Sequence, residues 1–355
     1  MKFDDEEVAG LNLDAVLPTE PRGFTFAQMI VCDECLRANA PTRDECLYCT
    51  APLPVTEDSL RLRQPSLRPL EKWEQGFNCI LMPKARADFL SDEQLAEAAN
   101  FLRMETDALK KIVGACQPLP LARAATQDGA NAIRYRLADV QRSFDVLIVA
   151  DNDLALESKP PIRLRALELT NDGLIGHSVG DYSAEVVSWE RIQLLVNGRL
   201  YVRRVEVQER LKRGGSEGEI IEAHEFGADE ALLDVYAALD PGEWIHWRIS
   251  SAGFDFSCLG EKKTLLAARN FQTLIEILRQ QASHARFDDS YKALRHTLST
   301  AWPPEQRTES RGWQRERPGK YTTEAVTTSD NEKQFTLYSR LQNYLRLRGK
   351  DLQDE

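Results

Sequence analysis

The chain has 355 residues, 42% of them apolar and 28% charged, and a formal charge of −11. That length exceeds one ordinary core and predicts two or three globular domains. The acidic balance excludes a surface that binds nucleic acid throughout, and no apolar run approaches the roughly 18 residues of a membrane helix.

Residues 1–25 open with MKFDDEEVAG, an acidic segment without the basic and apolar regions of a secretory leader. A cytoplasmic location is therefore expected, where thiols stay reduced. This bears on residues 26–56, which hold four of the seven cysteines. Cys32, Cys35, Cys46 and Cys49 form the pattern C-x2-C-x10-C-x2-C. A two-residue gap lets one tight turn aim two sulfurs at a common point, and two such knuckles supply the four thiolates that zinc prefers. Four sulfurs also close the coordination sphere, so a structural Zn2+ is expected and not a catalytic one. A redox CxxC would not need two matched pairs.

The stretch CDECLRANAPTRDECLYCTAPLP resembles the short zinc ribbons of many bacterial multi-domain proteins. The likeness lies in the cysteine spacing, Asn39-Ala40-Pro41, and the trailing Ala51-Pro52-Leu53. It departs at Leu36 and Thr50, where those ribbons usually place glycine after each knuckle. Eukaryotic fingers of similar spacing that bind RNA or ubiquitin carry a Trp two positions before the first Cys; Ile30 stands there, so that function is not carried over.

Residues 57–75 are rich in proline and charge, show no period and read as a linker. Residues 76–155 then give strand, helix, helix, strand, helix, strand. Phe77–Pro83 is a short apolar run. Ser91 and Gln94 stand in capping-box positions ahead of Leu95, Ala98, Ala99 and Leu102 on one helical face. Thr106 is expected to cap a helix carrying Leu109, Ile112 and Val113. Thr126 is expected to cap another, with Ala130, Ile133, Leu137 and Val140. Phe144–Asp151 closes the unit. This order resembles the C-terminal domain of the ribosomal stalk protein and the Clp-protease adaptor fold, which implies a docking module without catalysis.

From residue 156 to 285 the pattern is strands and turns. Asn171-Asp172-Gly173 marks one turn, and Asn197-Gly198 within RIQLLVNGRLYVRRVEV marks another. LKRGGSEGE reads as a polar excursion. ALLDVYAAL and EWIHWRISSAGFDFSCLG supply further strands, followed by a helix bearing Phe271, Leu274, Ile275 and Leu278. Strands closed by one helix are similar to the pleckstrin-homology-like barrel, a likeness extended by VVSWERIQLLVNG. Arg199, Arg203 and Arg204 could face a lipid headgroup in such a barrel, but alternation sends neighbours to opposite faces, and a solvated hairpin is the plainer reading.

Residues 286–355 read as an extension rich in arginine and aromatics. Ser329 and Glu332 are expected to form a capping box for a last helix with Phe335, Tyr338, Leu341 and Leu345. The arginines, with Trp302, Trp313 and Tyr321, fit a single-strand nucleic-acid platform, or equally a strap across the acidic body.

The whole reads as a multi-domain α+β chain: zinc ribbon, βααβαβ sandwich, antiparallel PH-like barrel closed by a helix, and a tail ending in a helix. It contains no phosphate loop, dinucleotide fingerprint, nucleophile elbow or metalloprotease helix. His177, His224, His246, His284 and His296 are scattered, each read as surface or satisfied core. Asp151 and Asp153 suit backbone bonding in a turn better than a metal. Cys79, Cys116 and Cys258 read as small core residues. Asp255 and Ser257 have no neighbouring base in sequence. The expected function is a non-catalytic adaptor or regulator working through a protein partner. The alternatives are a nucleic-acid-associated factor using ribbon and tail, and an enzyme whose site is assembled from distant residues.

Overall fold

The computed structural model describes residues 24–25, 28–43, 45–54, 56, 59, 70, 74–83, 91–140, 145–154, 159–180, 184–211, 218–239, 243–312, 314–317 and 320–351. The acidic first segment, most of the linker, the polar excursion at 212–217 and Trp313 lie outside them. The chain divides into two compact units, Met1–Gln64 and Pro65–Glu355.

In the first unit, β1 (Ile30–Val31) pairs antiparallel with β2 (Ala38–Asn39). Its apolar core is Ile30, Cys32, Cys46 and Leu53, with Cys35 and Ala51 against them. So few small side chains cannot offset the entropy of ordering the segment, so the sulfurs must hold it by other means.

The second unit is mixed α+β. Its first elements run β3 (Phe77–Met82), α1 (Asp92–Leu102), α2 (Thr106–Gly114), β4 (Leu119–Ala124), α3 (Gln127–Val140) and β5 (Asp145–Ala150). β3 lies between β4 and β5, antiparallel to both. Ser91 and Gln94 form the expected capping box, and Leu95, Ala98, Ala99 and Leu102 are the buried face of α1. Thr126 Oγ1 accepts from the Gly129 N–H at the start of α3. Thr106, in contrast, does not cap α2; it is the first helical residue, and Glu105 occupies the cap without a side-chain bond.

The second sheet has ten strands, β6 (Ile162–Leu169), β7 (Gly173–Ser178), β8 (Ala184–Ser188), β9 (Ile192–Leu211), β10 (Gly218–Ala238), β11 (Trp244–Ser250), β12 (Arg286–Asp288), β13 (Glu305–Ser310), β14 (Gln314–Arg317) and β15 (Lys320–Asp330). Their order is β13-β15-β9-β10-β11-β6-β7-β8, with β12 on β9 and β14 on β15. The path is open at both ends, so the expected barrel is replaced by an open sheet. β9 and β10 are 20 and 21 residues long and run far past the strands that flank their inner halves.

Period-two alternation gives β9–β11 two buried faces. Leu194, Val196, Leu232 and Tyr236 face a core shared with the first sheet, with α5 (Tyr291–Leu298) and with α6 (Glu332–Asp351). Leu195, Leu233, Val235, Trp247 and Ile249 face a second core built with α4 (Ala267–Gln281). The four apolar residues expected on α4, from Phe271 to Leu278, are buried there.

Helix α6 is enclosed rather than laid across a surface. Phe335, Tyr338 and Leu341 are fully buried, and so are Ser339, Arg340, Gln342 and Asn343. Trp302 is also buried, and its Nε1 donates to Asn78 Oδ1 on β3 at 2.9 Å. The segment expected as a tail instead supplies four strands to the sheet, β12 to β15, and two helices, α5 and α6, to the core. The expected capping box at the start of α6 fails for the same reason. Ser329 is in β15, Asp330 Oδ1 accepts the Glu332 N–H, and the Glu332 carboxylate turns to Arg163 and Arg248.

The Asn171–Gly173 turn forms, closed by Thr170 N–H donating to Gly173 O at 2.9 Å. Asn197-Gly198 is no turn; both lie inside β9. Gly198 is there for space: a Cβ on it would sit 2.2 Å from the Phe335 ring. Asn331 seals the branch where β15 leaves β9. Its Oδ1 accepts the Tyr201 N–H and its Nδ2 donates to Arg199 O and Tyr291 Oη.

Candidate functional site

The structure brings Cys32, Cys35, Cys46 and Cys49 together, every sulfur within 4.8 Å of the others. Cys32 Sγ is 3.6 Å from Cys49 Sγ, and Cys35 Sγ is 3.5 Å from Cys46 Sγ. Four sulfurs about 2.3 Å from one ion at tetrahedral corners would stand roughly 3.8 Å apart, so the donor set fits a metal of that size. No disulfide links them.

Each knuckle is a tight turn closed on its first cysteine: Leu36 N–H donates to Cys32 O and Thr50 N–H to Cys46 O. Closing the turns puts Leu36 at φ 55° and Thr50 at φ 58°, the left-handed region where glycine is at ease. The two departures from the ribbon pattern thus keep the backbone geometry and carry its strain. The loop between the knuckles is held by Asn39, whose Oδ1 accepts the Leu47 N–H while its Nδ2 donates to Arg37 O. Ala51 and Leu53 complete the fold: Cys46 N–H donates to Ala51 O, and Leu53 is buried.

The sulfurs are electrostatically unequal. Burial pushes the Cys46 thiol up, but donors from the Tyr48 and Cys49 N–H groups, Cys35 and Asn39 outweigh it and bring it down to about 6. At Cys49 the Ala51 N–H favours the thiolate, yet burial and the other three sulfurs push it up to about 12. Crowded thiols cannot all ionise without a cation among them; a bound dication removes that conflict.

The other residues singled out in the sequence fall elsewhere. Asp151 accepts from Gly76 N–H, Asn78 and Arg123, and Asp153 from Ala150 N–H, so both are turn and sheet anchors. Cys79 is buried as expected. Cys116 is exposed at φ 50°, at the end of α2, and not a core residue. Cys258 lies in a 3-10 turn, Phe256–Lys262, where a strand was expected, and is half-buried. In that turn Asp255 is the N-cap: its Oδ1 accepts from Ser257 N–H and Oγ, with Lys263 Nζ 3.3 Å away. His177 pairs with Glu168 and His224 with Glu222. Arg199, Arg203 and Arg204 pair with Asp229, Glu225 and Glu206, which matches a solvated hairpin and leaves no converging cluster.

A buried charge cluster was missed in the sequence. Asp234 on β10 takes both Nε and Nη2 of Arg248 on β11 at 2.8 Å, and His246 Nε2 lies 2.7 Å from its Oδ2. All three are at most 3% exposed. Arg248 Nη1 reaches Glu332 and Thr336 on α6. The ring of His246 stacks on Tyr236, whose hydroxyl meets Ser339. Arg340 lies over Trp244, with one bond from its Nη2 to Lys159 O. The signal was present as D-x-Y in one strand and H-x-R in the next, one face of a period-two pattern, but the register that opposes them was not.

Burial would favour a neutral Asp234, yet Arg248 and His246 hold its carboxyl well below the usual range. Burial lowers His246 to about 4; it outweighs the upward pull of Asp234, and Arg340 and Arg248 add repulsion. The cluster is an ion pair with a neutral imidazole, tied into three elements, and its groups are too enclosed to meet a substrate.

No family of known proteins, no curated protein and no solved structure matches this chain. Among the described residues, no helix is long and apolar enough to cross a membrane.

Proposed function

We propose that the chain is a non-catalytic adaptor whose ribbon, held by one structural Zn2+ on Cys32, Cys35, Cys46 and Cys49, docks a protein partner. Thiolate softness and a closed four-sulfur set favour zinc and leave no coordination place for a substrate. The observation that carries the docking role is what the knuckles display. Val31, Leu36, Leu47 and Tyr48 are each at least half exposed, on a module whose own apolar core is hardly larger. Arg37 lies 4.7 Å over the Tyr48 ring and keeps that side chain ordered. Apolar side chains held rigidly in water at such density mark a recognition surface, because leaving them wet gains nothing.

The nucleic-acid reading is weaker, since Trp302 is buried and Arg199, Arg203 and Arg204 are already paired. A photo-crosslinking residue placed at Leu47, in cells, tests the docking role. One discrete adduct that disappears in a Cys46→Ser background is expected. A smear of unrelated adducts, or one that survives loss of the metal, removes the ribbon as the docking element.

A further inference from the structure

The outer halves of β9 and β10, with β15, β13 and β14, form a sheet that no described helix or second sheet covers. From Tyr201 on β9, through β10 up to Glu230, and along β13 to β15, no described hydrophobic residue is buried in either core; Leu200 is the last on β9 to pack against one. Sheets in water hold together by covering at least one face or by continuing through their edges. Here Ile220 and Phe226 are 62% and 56% exposed. β11 pairs with β10 only from Leu232 onward, so among the described residues the stretch from Ile220 to Glu230 is paired on one side alone. β13 is the opposite end of the same sheet.

The register fixes what each edge offers. Across one face the rows read Glu222–Gln208–Glu324–Arg311, His224–Glu206–Val326–Glu309 and Phe226–Arg204–Thr328–Arg307. β13 runs antiparallel to β10, because each successive neighbour between them is antiparallel. The sheet can therefore continue into a second copy by repeating its own pairing. That continuation sets Arg311 of the second copy opposite Glu222, Glu309 opposite His224, and Arg307 over the Phe226 ring. Two of these are opposite-charge or hydrogen-bonding pairs and the third a cation–π contact. A slip of two residues in one direction puts Glu309 opposite Glu222, and in the other puts Glu309 against Phe226, so charge selects the unslipped register. Pairing two β10 edges about a twofold axis is disfavoured, because Ile220–Glu230 contains Glu222, Glu225, Asp229 and Glu230 and no Lys or Arg.

We infer that this arm is a self-association surface: the β10 edge of one chain takes the β13 edge of a second copy, head to tail. Such a contact is heterologous and leaves a free edge at each end, so it propagates into chains or closes into a ring. Every residue it uses belongs to the second unit, so it does not depend on the function proposed for the ribbon.

Sedimentation velocity of the full chain over a concentration series, at low and high salt, reads the assembly. Species larger than a dimer are expected, shrinking with added salt. Glu222→Arg and Arg311→Glu each weaken association about tenfold or more, and the two together in one chain restore it. Ala223→Cys with Ser310→Cys, placed opposite each other on the other face, gives disulfide ladders on oxidation that neither single variant gives. Melting curves matching the parent show that each variant is folded. A parent that stays monomeric throughout the series overturns the inference, as do single reversals that associate like the parent or a double variant without ladders. A saturable complex with a single-stranded oligonucleotide that leaves the chain monomeric assigns the arm to nucleic acid and overturns it equally.

Discussion

The ribbon and the inner sheet are stabilised in opposite ways. The ribbon has six residues in and against its apolar core and concentrates its cohesion in four sulfurs. The inner sheet buries both faces of β9–β11, and the polar groups it encloses are held by side chains on α6. The difference lies in where the stabilisation resides. In the ribbon, as proposed, it is a bound ion that a chelator can remove. In the inner sheet it is packing and enclosed polar contacts, which a chelator leaves in place.

The sharpest break in that contrast is metal removal. Structural zinc sites carry apparent binding free energies of about 10–16 kcal/mol near neutral pH, far more than the ribbon's own packing. Chelation, or Cys46→Ser, is expected to unfold residues 30–53 while the inner halves of β9 and β10 keep their slow amides. Hydrogen exchange resolved along the chain measures it, alongside one zinc per chain by elemental analysis. Protection of the ribbon amides that survives chelation contradicts the assignment.

Next in size is Asp234→Ala. It strands the Arg248 guanidinium in the core, and breaking a buried pair from one side costs about 3–5 kcal/mol. Denaturant unfolding of the inner sheet reports it. The same cluster sets an acid response. His246 is lowered to about 4, so the unfolded chain, with its imidazole near 6.5, binds a proton that the folded chain refuses. Its contribution is complete above about pH 6.5 and is lost as pH falls toward 4, by up to about 3 kcal/mol. Asp234, also depressed, adds its own loss only below the ordinary carboxylate range. His246→Phe should flatten stability between pH 6.5 and 4; a slope there equal to the parent's would show that another group titrates.

What could be read in the sequence follows from the same contrast. The four-cysteine cluster was legible whole, because its sulfurs lie within one short segment and spacing alone brings them together. Amphipathic helices were legible too: the buried faces of α1, α3 and α4 are local repeats, and Leu95, Ile133 and Leu274 fall where the period puts them. The open sheet was not. Strand partners are chosen at long range, and the pairing of β9 with β15 joins residues more than a hundred apart. Nor was the burial of α6, whose Ser339, Arg340, Gln342 and Asn343 look like a solvated face until their surroundings are known. Asn197-Gly198 misled for a related reason: glycine signals a lack of Cβ, and a turn and a close aromatic ring demand that equally.

That glycine offers a smaller test on the inner-sheet side. Gly198→Ala drives a methyl into Phe335 at 2.2 Å, and overpacking of this kind costs about 1–3 kcal/mol. Were Asn197-Gly198 a turn exposed to water, alanine would be nearly neutral. The unfolding midpoint distinguishes the two, and pairing the change with Phe335→Leu should recover part of the loss.

The smallest effect expected lies in the ribbon and has the opposite sign. Leu36 and Thr50 hold left-handed backbone, which costs a side-chain-bearing residue about 1–2 kcal/mol, part of it returned to glycine's looser unfolded chain. Leu36→Gly or Thr50→Gly should therefore stabilise the metal-bound ribbon by about 0.5–1 kcal/mol each. A competition titration against a chromophoric chelator reads this as a severalfold rise in zinc affinity. Leu36→Gly removes an exposed apolar side chain as well as the strain, while Thr50→Gly removes the strain and only the hydroxyl's bond to Cys49 O. If both tighten zinc but only Leu36→Gly weakens the crosslink at Leu47, the leucine stands at its knuckle for the partner, at a cost to the metal. If neither tightens zinc, the strain is relieved elsewhere in the turn and the comparison with glycine-bearing ribbons fails at these two positions.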